Sequence, residues 1–346
     1  MTKISIDGEK FLVDGRPIYE GRTYKGNPVE GLLFNTRMVQ AIFDDENPET
    51  AENWAYPDTG KWDADRNVDE FIAALPTYLA HGVKAFTLNL QGGMPITGTE
   101  RVQPWLNTAI DPKGNLKPKH MARLHKVLAA ADALGMVAIV GYYYFGQDQY
   151  LDDDDAIRAG VVNATRWLLE TGFENILVEI NNECDIPHYD HDLLMPGRVH
   201  ELVELARSIE IDGRKLPIAT SFSGGFFHSD IAKGVPTEAV IEASDFIIVH
   251  SNKWNEEQTR EVVRAVRAKP AFQRRPMPIV INEDSVSAEN MFAAVEVYAP
   301  WGYYDQGKNN YRDGYQSPPV NWGISTPEKE RFFKGVAEIT GTKVAS

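Results

Sequence analysis

Short β-branched apolar runs recur along this chain, each followed by a stretch whose apolar residues fall three and four apart. That alternation restricts the fold more than any other feature. The runs are too short for helices and read as strands buried on both faces, while the longer stretches read as amphipathic helices. A parallel neighbour needs a crossover connection, and a helix is the usual one, so strand and helix in alternation build a parallel sheet. The runs Ile18–Arg22, Val83–Asn89, Val137–Tyr143, Ile176–Asn181, Pro217–Phe222, Phe246–His250, Pro278–Asn282 and Val297–Tyr303 predict eight strands. Helices are predicted over Met121–Leu134, Ala156–Thr171, Val199–Ile209 and Glu256–Ala268, the third carrying Leu202, Leu205, Ala206 and Ile209 on one side. A last helix follows Thr326 as N-cap and Pro327 at its first position, with Phe332, Phe333, Val336 and Ile339 on its apolar side. With no Ser/Gly-rich linker and no internal repeat, these units predict a single (β/α)₈ barrel, a TIM barrel spanning 1–346, rather than a doubly wound sheet.

The remaining segments attach to that frame. Asp-Gly pairs at 7–8 and 14–15 predict an N-terminal β-hairpin over residues 1–16. Residues 23–68 hold Pro28, Pro48, Pro57, Trp54 and Trp62 with little periodicity, and 304–322 is similar; both are expected as long loops on the C-terminal face of the barrel. Composition excludes several functions. The chain is 43% hydrophobic, enough for a large core, yet no apolar run approaches the ~20 residues of a membrane span. A net charge of −15, from 35 basic and 50 acidic residues, repels nucleic acid and anionic membranes. The lone Cys184 rules out an internal disulfide framework and a multi-thiolate zinc site. The first residues lack the apolar stretch of a signal peptide, so a cytoplasmic location is expected, or a secreted one with its leader removed.

In a barrel the reacting groups lie just beyond the C-terminal ends of the strands. Two strand ends carry carboxylates there: Ile176-Leu-Val-Glu-Ile-Asn-Asn-Glu183 closes strand four on Asn182-Glu183, and Pro278-Ile-Val-Ile-Asn-Glu283 closes strand seven on Glu283. Burying such groups at the end of a β-branched run is costly unless they are paired or used.

Asn-Glu after strand four, Glu after strand seven and Trp301-Gly302 at strand eight resemble the clan A glycoside hydrolases, the cellulase-like barrels of family 5 among them. The resemblance implies a retaining glycoside hydrolase acting on β-linked oligo- or polysaccharides without cofactor or metal, with Glu183 as acid/base and Glu283 as nucleophile. It also implies that Asn182 binds the sugar 2-hydroxyl. His250, ending strand six, is then expected near the acid/base or the substrate. The chain departs from the family in three places: Asn252 stands where a Tyr commonly supports the nucleophile, strand two has no Arg at its end, and strand three ends in tyrosines. Arg22 on strand one is the expected replacement for the missing Arg.

Sugar rings present apolar faces that stack on flat side chains and hydroxyls that bond at the edges. Trp301 is the leading stacking candidate, with Trp254, Tyr144, Phe226 and Trp322 as further ones, and Asn89 and Gln91 are candidates for hydroxyl contacts. His188-Tyr-Asp-His-Asp192 and Asp152–Asp155 offer metal ligands on paper but read more simply as a polar loop and an acidic first helical turn. Two other readings stand beside the hydrolase: a carbohydrate-binding barrel that has lost hydrolysis, and a metal-dependent barrel hydrolase, which would need a His-x-His pair on strand one.

Overall fold

In the structure, a computed structural model, residues 1–96 and 102–344 are described. Eight parallel strands form the barrel: β1 (Asn35–Arg37), β2 (Ala85–Asn89), β3 (Val137–Tyr143), β4 (Ile176–Asn181), β5 (Ile218–Ala219 continued by Ser221–Phe222), β6 (Ile247–His250), β7 (Ile279–Glu283) and β8 (Gly302–Tyr303). Ladders join β8 to β1 and run on to the first half of β5, and its second half pairs with β6 and then β7. The ring closes between β7 and β8, where Ile281 N–H donates to the Pro300 carbonyl (3.2 Å) and Asp284 N–H to Gly302 (3.1 Å).

The helices α1 (Ala64–Ala80), α2 (Pro118–Leu134), α3 (Asp154–Glu170), α4 (Val199–Ser208), α5 (Glu238–Ala243), α6 (Glu256–Arg267), α7 (Ala288–Glu296) and α8 (Pro327–Thr340) follow the strands in turn. Local signals explain their starts. Asp153 caps α3 by accepting from Ala156 N–H, so Asp154 and Asp155 are first-turn acids. Thr326 caps α8 ahead of Pro327, as expected.

Strand one differs from its sequence assignment. Residues 16–22 do not enter the barrel: Arg16–Pro17 adds a third strand to the N-terminal sheet of Ile4–Asp7 and Lys10–Val13, and the chain then turns through Tyr19 and Gly21, both at positive φ. The barrel strand lies inside the 23–68 segment, at Asn35-Thr-Arg37. Polar side chains there erase the apolar pattern because all three point into buried ionic or packed surroundings. The strand predicted over Val297–Tyr303 shrinks to Gly302–Tyr303, since Val297 closes α7 instead.

Inside the barrel, side chains change character with height. Ala85, Val137, Ile139, Leu177, Ala219, Ile248 and Val280 form an apolar floor, and Ile4, Phe11 and Ile18 of the N-terminal sheet pack beneath it. The small sheet is thus a plug for the lower mouth. Above the floor, Arg37 and Glu179 occupy the axis, and Glu183, His250 and Glu283 crown it.

Candidate active site

Glu183 and Glu283 rise from β4 and β7 on opposite sides of the barrel mouth, 5% and 6% exposed. One carboxylate oxygen of each and a ring nitrogen of His250 lie within 4.8 Å of one another. His250, at the end of β6, bonds Glu183 Oε1 through Nδ1 at 2.8 Å and stands 3.8 Å from Glu283 Oε2. Burial lowers the pKa of this imidazole, which stands between the two acids. Glu183 is held in the left-handed region at φ 50°, its N–H donating to Ser221 Oγ at 2.8 Å. Cavity-lining Met94 (φ 49°) and Lys253 (φ 65°) share that conformation, and strain of this kind collects at functional sites.

The cation of the site comes from an unexpected place. Arg37, fully buried on β1, lies 2.6 Å from Glu283 Oε2, off the N–H axis and hence an ion pair more than a hydrogen bond. Its other nitrogens reach Glu179 Oε2 at 3.1 Å and Asn182 Oδ1. One planar fork therefore binds three groups on two strands, which a lysine could not do. Asn252 Nδ2 donates to Glu283 Oε1 at 2.8 Å, so the residue standing where a tyrosine was expected makes the contact with the β7 carboxylate. Burial raises both glutamates. Glu183 goes to about 8, with the Asp185 charge adding to burial and Arg37 opposing. For Glu283, His250, Arg37 and the Asn252 hydrogen bond act against burial. With two carboxyls so close, the first proton leaves the one in contact with Arg37, and the other keeps its own.

A cavity of about 600 Å³ opens above the pair, walled by Tyr144 and Phe145 after β3, Phe226 and Phe227 after β5, Asn252 and Trp254 after β6, and Tyr304 and Gln306 after β8. Tyr144, Phe226 and Trp254 therefore reach the site, as does His250 through Glu183.

Several expectations are corrected. Arg22 is far from the site: its guanidinium donates to the carbonyls of Ile339 (2.7 Å) and Glu338 (2.8 Å), covering the open C-terminal end of α8. Trp301 is fully buried and faces the helices. Alternation along β8 sends Trp301 and Tyr303 outward onto Phe332, and the inward position between them is Gly302, where a Cβ would sit 2.3 Å from the Asn282 carbonyl oxygen. Asn89 points inward below the cavity against Gly141 and lines none of its wall. Trp322 is likewise a core residue, donating to Asn67 Oδ1 at 3.1 Å, and Gln91 fixes the loop by accepting from Tyr144 N–H at 3.2 Å. Asn182 is buried beneath the cavity; its Oδ1 is taken by Arg37 and its Nδ2 has no protein partner. Of the two long loops, 304–322 sends Tyr304, Asp305 and Gln306 to the wall, whereas 23–68 sends none of its described residues there. Residues 43–62 instead form a satellite core of Phe43, Trp54 and Trp62 with Trp105.

Sequence reasoning missed Arg37, Glu179 and Asn252's contact, as well as Asp185, Phe227 and Tyr304. A signal for Arg37 exists in hindsight: Leu32-Leu-Phe34 is an apolar run whose polar continuation, Asn35-Thr-Arg37, is what the mouth of a barrel strand looks like. As for metals, Glu183, His250 and Glu283 are the one cluster of three or more close His, Cys or carboxylate groups among the described residues. The positive charge at Glu283 is already the guanidinium of Arg37. The relocated β1 carries Asn-Thr-Arg and no His-x-His pair.

No protein-family model matches the chain, and no curated protein matches its sequence. Solved structures do match its fold. An endo-1,4-beta-mannanase from Eisenia fetida superposes with TM-score 0.56 at 10% identity, covering 97% of this chain and 95% of that one. The beta-mannanase of the blue mussel Mytilus edulis gives TM-score 0.54 at 11% identity, with 97% and 96% covered. A GH5-4 broad specificity endoglucanase from an uncultured bovine rumen ciliate gives 0.56 at 11%, with 90% and 95% covered. The chain is an α/β barrel protein. Its particular fold is the TIM barrel of those glycoside hydrolases.

Proposed function

We propose that the protein is a retaining glycoside hydrolase acting on a β-linked glycan, with Glu283 as nucleophile and Glu183 as acid/base. The observation that carries this reading is the approach of the two carboxyls, oxygens within 4.8 Å, with Arg37 on one and His250 on the other. Retention needs carboxyl groups ~5–5.5 Å apart, whereas inversion needs ~6.5–9.5 Å to admit a water between them. In the first step Glu283 bonds the anomeric carbon as the bond to the leaving oxygen breaks, and that oxygen takes the Glu183 proton. In the second, Glu183 removes a proton from water as its oxygen attacks the same carbon and releases Glu283. Arg37 and Asn252 hold the nucleophile ionised and aimed, and the free Nδ2 of Asn182 is the donor for a sugar hydroxyl. The named activities of the structural neighbours, on β-mannan and glucan, support a neutral β-linked backbone as substrate.

The non-hydrolytic reading drew on missing supports around the nucleophile. Arg37 contacts Glu283 from β1 and Asn252 from the position where a tyrosine was expected, which speaks for the enzyme reading over this one. Kinetics of two variants test the assignment. Glu283→Ala loses activity on every glycoside, while Glu183→Ala loses ~10²–10⁴-fold on oligosaccharides yet keeps much of its rate on aryl glycosides with good leaving groups. Equal loss on both substrate types in Glu183→Ala overturns its role.

A further inference from the structure

We propose that the loops after β5 and β6 form the subsite for the sugar on the leaving-group side, with Phe226 as stacking face and Trp254 Nε1 and Asn252 Oδ1 as polar contacts. The inference rests on the glycosidase reading and adds which side of the scissile bond is recognised and by what chemistry.

A row of rings leads out of the site. Tyr144, beside the carboxylates, meets Phe145 at 4.6 Å between centroids, Phe145 meets Phe227 at 6.3 Å, and Phe227 meets Phe226 at 5.0 Å. The row ends in solvent, with Phe226 53% exposed. One exposed aromatic says little by itself; one that ends an aromatic row rising from a cavity floor is a different matter. The row belongs to the acid's side of the mouth. His188, on the β4 loop that begins at Glu183, packs on both Phe145 and Phe227. Asp185, two residues past Glu183, clamps the β5 loop by accepting from Ser223 N–H (2.8 Å) and Oγ (3.0 Å) and bonding His228 Nε2 (2.7 Å). A glycan lying across the two carboxylates puts its anomeric carbon at Glu283 and its leaving oxygen at Glu183, so units beyond that oxygen run along this wall.

The wall also has unused polar capacity. Trp254 and Asn252 line the cavity, and Trp254 Nε1 and Asn252 Oδ1 are buried with no protein partner. Buried polar atoms without partners are rare enough to need an explanation, and a sugar hydroxyl pair satisfies both a donor and an acceptor. The platform is firmly seated. A Cβ on Gly224 would stand 2.7 Å from Asn252 N, and one on Gly225 would stand 2.4 Å from Trp254 Cδ1, so only glycine lets the β5 loop lie flat on the β6 loop. Lys253 Nζ lies over the Phe226 ring, 5.9 Å from its centroid, and Phe227 packs on it at a tilt, while more than half of Phe226 stays open to solvent.

The test compares two substrates that share a disaccharide glycone: its β-fluoride, which places nothing beyond the scissile bond, and a β-1,4-linked gluco- or manno-tetrasaccharide. Phe226→Ala, at an exposed position, lowers kcat/KM for the tetrasaccharide roughly tenfold more than for the fluoride, and it lowers transfer to added disaccharide acceptor. Trp254→Phe, which keeps the packing and removes the N–H, moves the ratio the same way. Equal falls on fluoride and tetrasaccharide in Phe226→Ala overturn the subsite. Absence of turnover of either substrate by the wild type overturns the glycosidase reading instead, and calorimetric affinity for the tetrasaccharide then decides: weaker binding by Phe226→Ala sustains the platform, unchanged binding ends it.

Discussion

At the scale of single residues, the barrel mouth is governed by where protons and the Arg37 guanidinium sit. Glu183 carries a pKa of about 8 in the fold against about 4.5 in an open chain, with burial as the first cause. Between those values the unfolded chain has released a proton that the folded one still holds, so stability falls as pH rises from the lower value through the upper. Glu183→Gln removes that dependence. The variant is therefore expected to gain on wild type at pH 8 by a few kcal/mol, with little gain near pH 4.5, as read from denaturant midpoints at the two pH values. Activity of the wild type has its alkaline limit near the same pH, since the acid must arrive protonated. Arg37 is the opposite case. It stands between Glu179 and Glu283 in full burial, so Arg37→Met leaves two carboxylates without their cation at a cost of ~3–5 kcal/mol. Arg37→Lys keeps the charge and loses the fork. Its expected signature is near-native thermal stability relative to the Met variant with kcat depressed well over tenfold, because Glu283 and Asn182 are no longer aligned by one plane.

At the scale of elements, legibility followed burial. Val137–Tyr143 and Ile176–Asn181 were readable to the residue because every position is buried, leaving a dense apolar run broken in the second strand only by Glu179. β1 was unreadable for the converse reason: its three residues are polar and one of them, Arg37, serves the site, so function overwrote pattern. The same trade hid the arginine, and Arg22 was chosen in its stead because it closed an apolar run that belongs to the N-terminal sheet. Glu183 and Glu283 were legible since carboxylates at strand ends are conspicuous. Trp301 shows what the sequence cannot carry, namely the phase of a two-residue strand; Gly302 fixes that phase. Gly302→Ala puts a methyl 2.3 Å from the Asn282 carbonyl, one residue before Glu283. The expected result is a stability loss of ~1–3 kcal/mol with a fall in kcat larger than stability alone accounts for, measured on protein shown folded by circular dichroism.

At the scale of the molecule, the N-terminal sheet and the barrel share one core. Phe11, 1% exposed, packs edge-on with Phe246 at 6.0 Å beneath the apolar floor. Phe11→Ala is expected to cost ~3–5 kcal/mol and lower the melting temperature, while the KM of the surviving folded enzyme stays put, because the plug lies a full barrel height from the cavity. Net charge bears on substrate choice at this scale too. With −15 overall and a neutral glycan as partner, association has no steering term, so KM should be nearly flat in salt from about 0.05 to 0.5 M; a steep slope would mean a charged substrate.

The plugged floor has one more effect. Since Ile4, Phe11 and Ile18 pack beneath the floor, the fully buried Arg37–Glu179 pair is shut off below, and the gap a sugar would fill lies on its other side. A sugar in that gap would then wall in the inner charges from the one side the plug leaves uncovered.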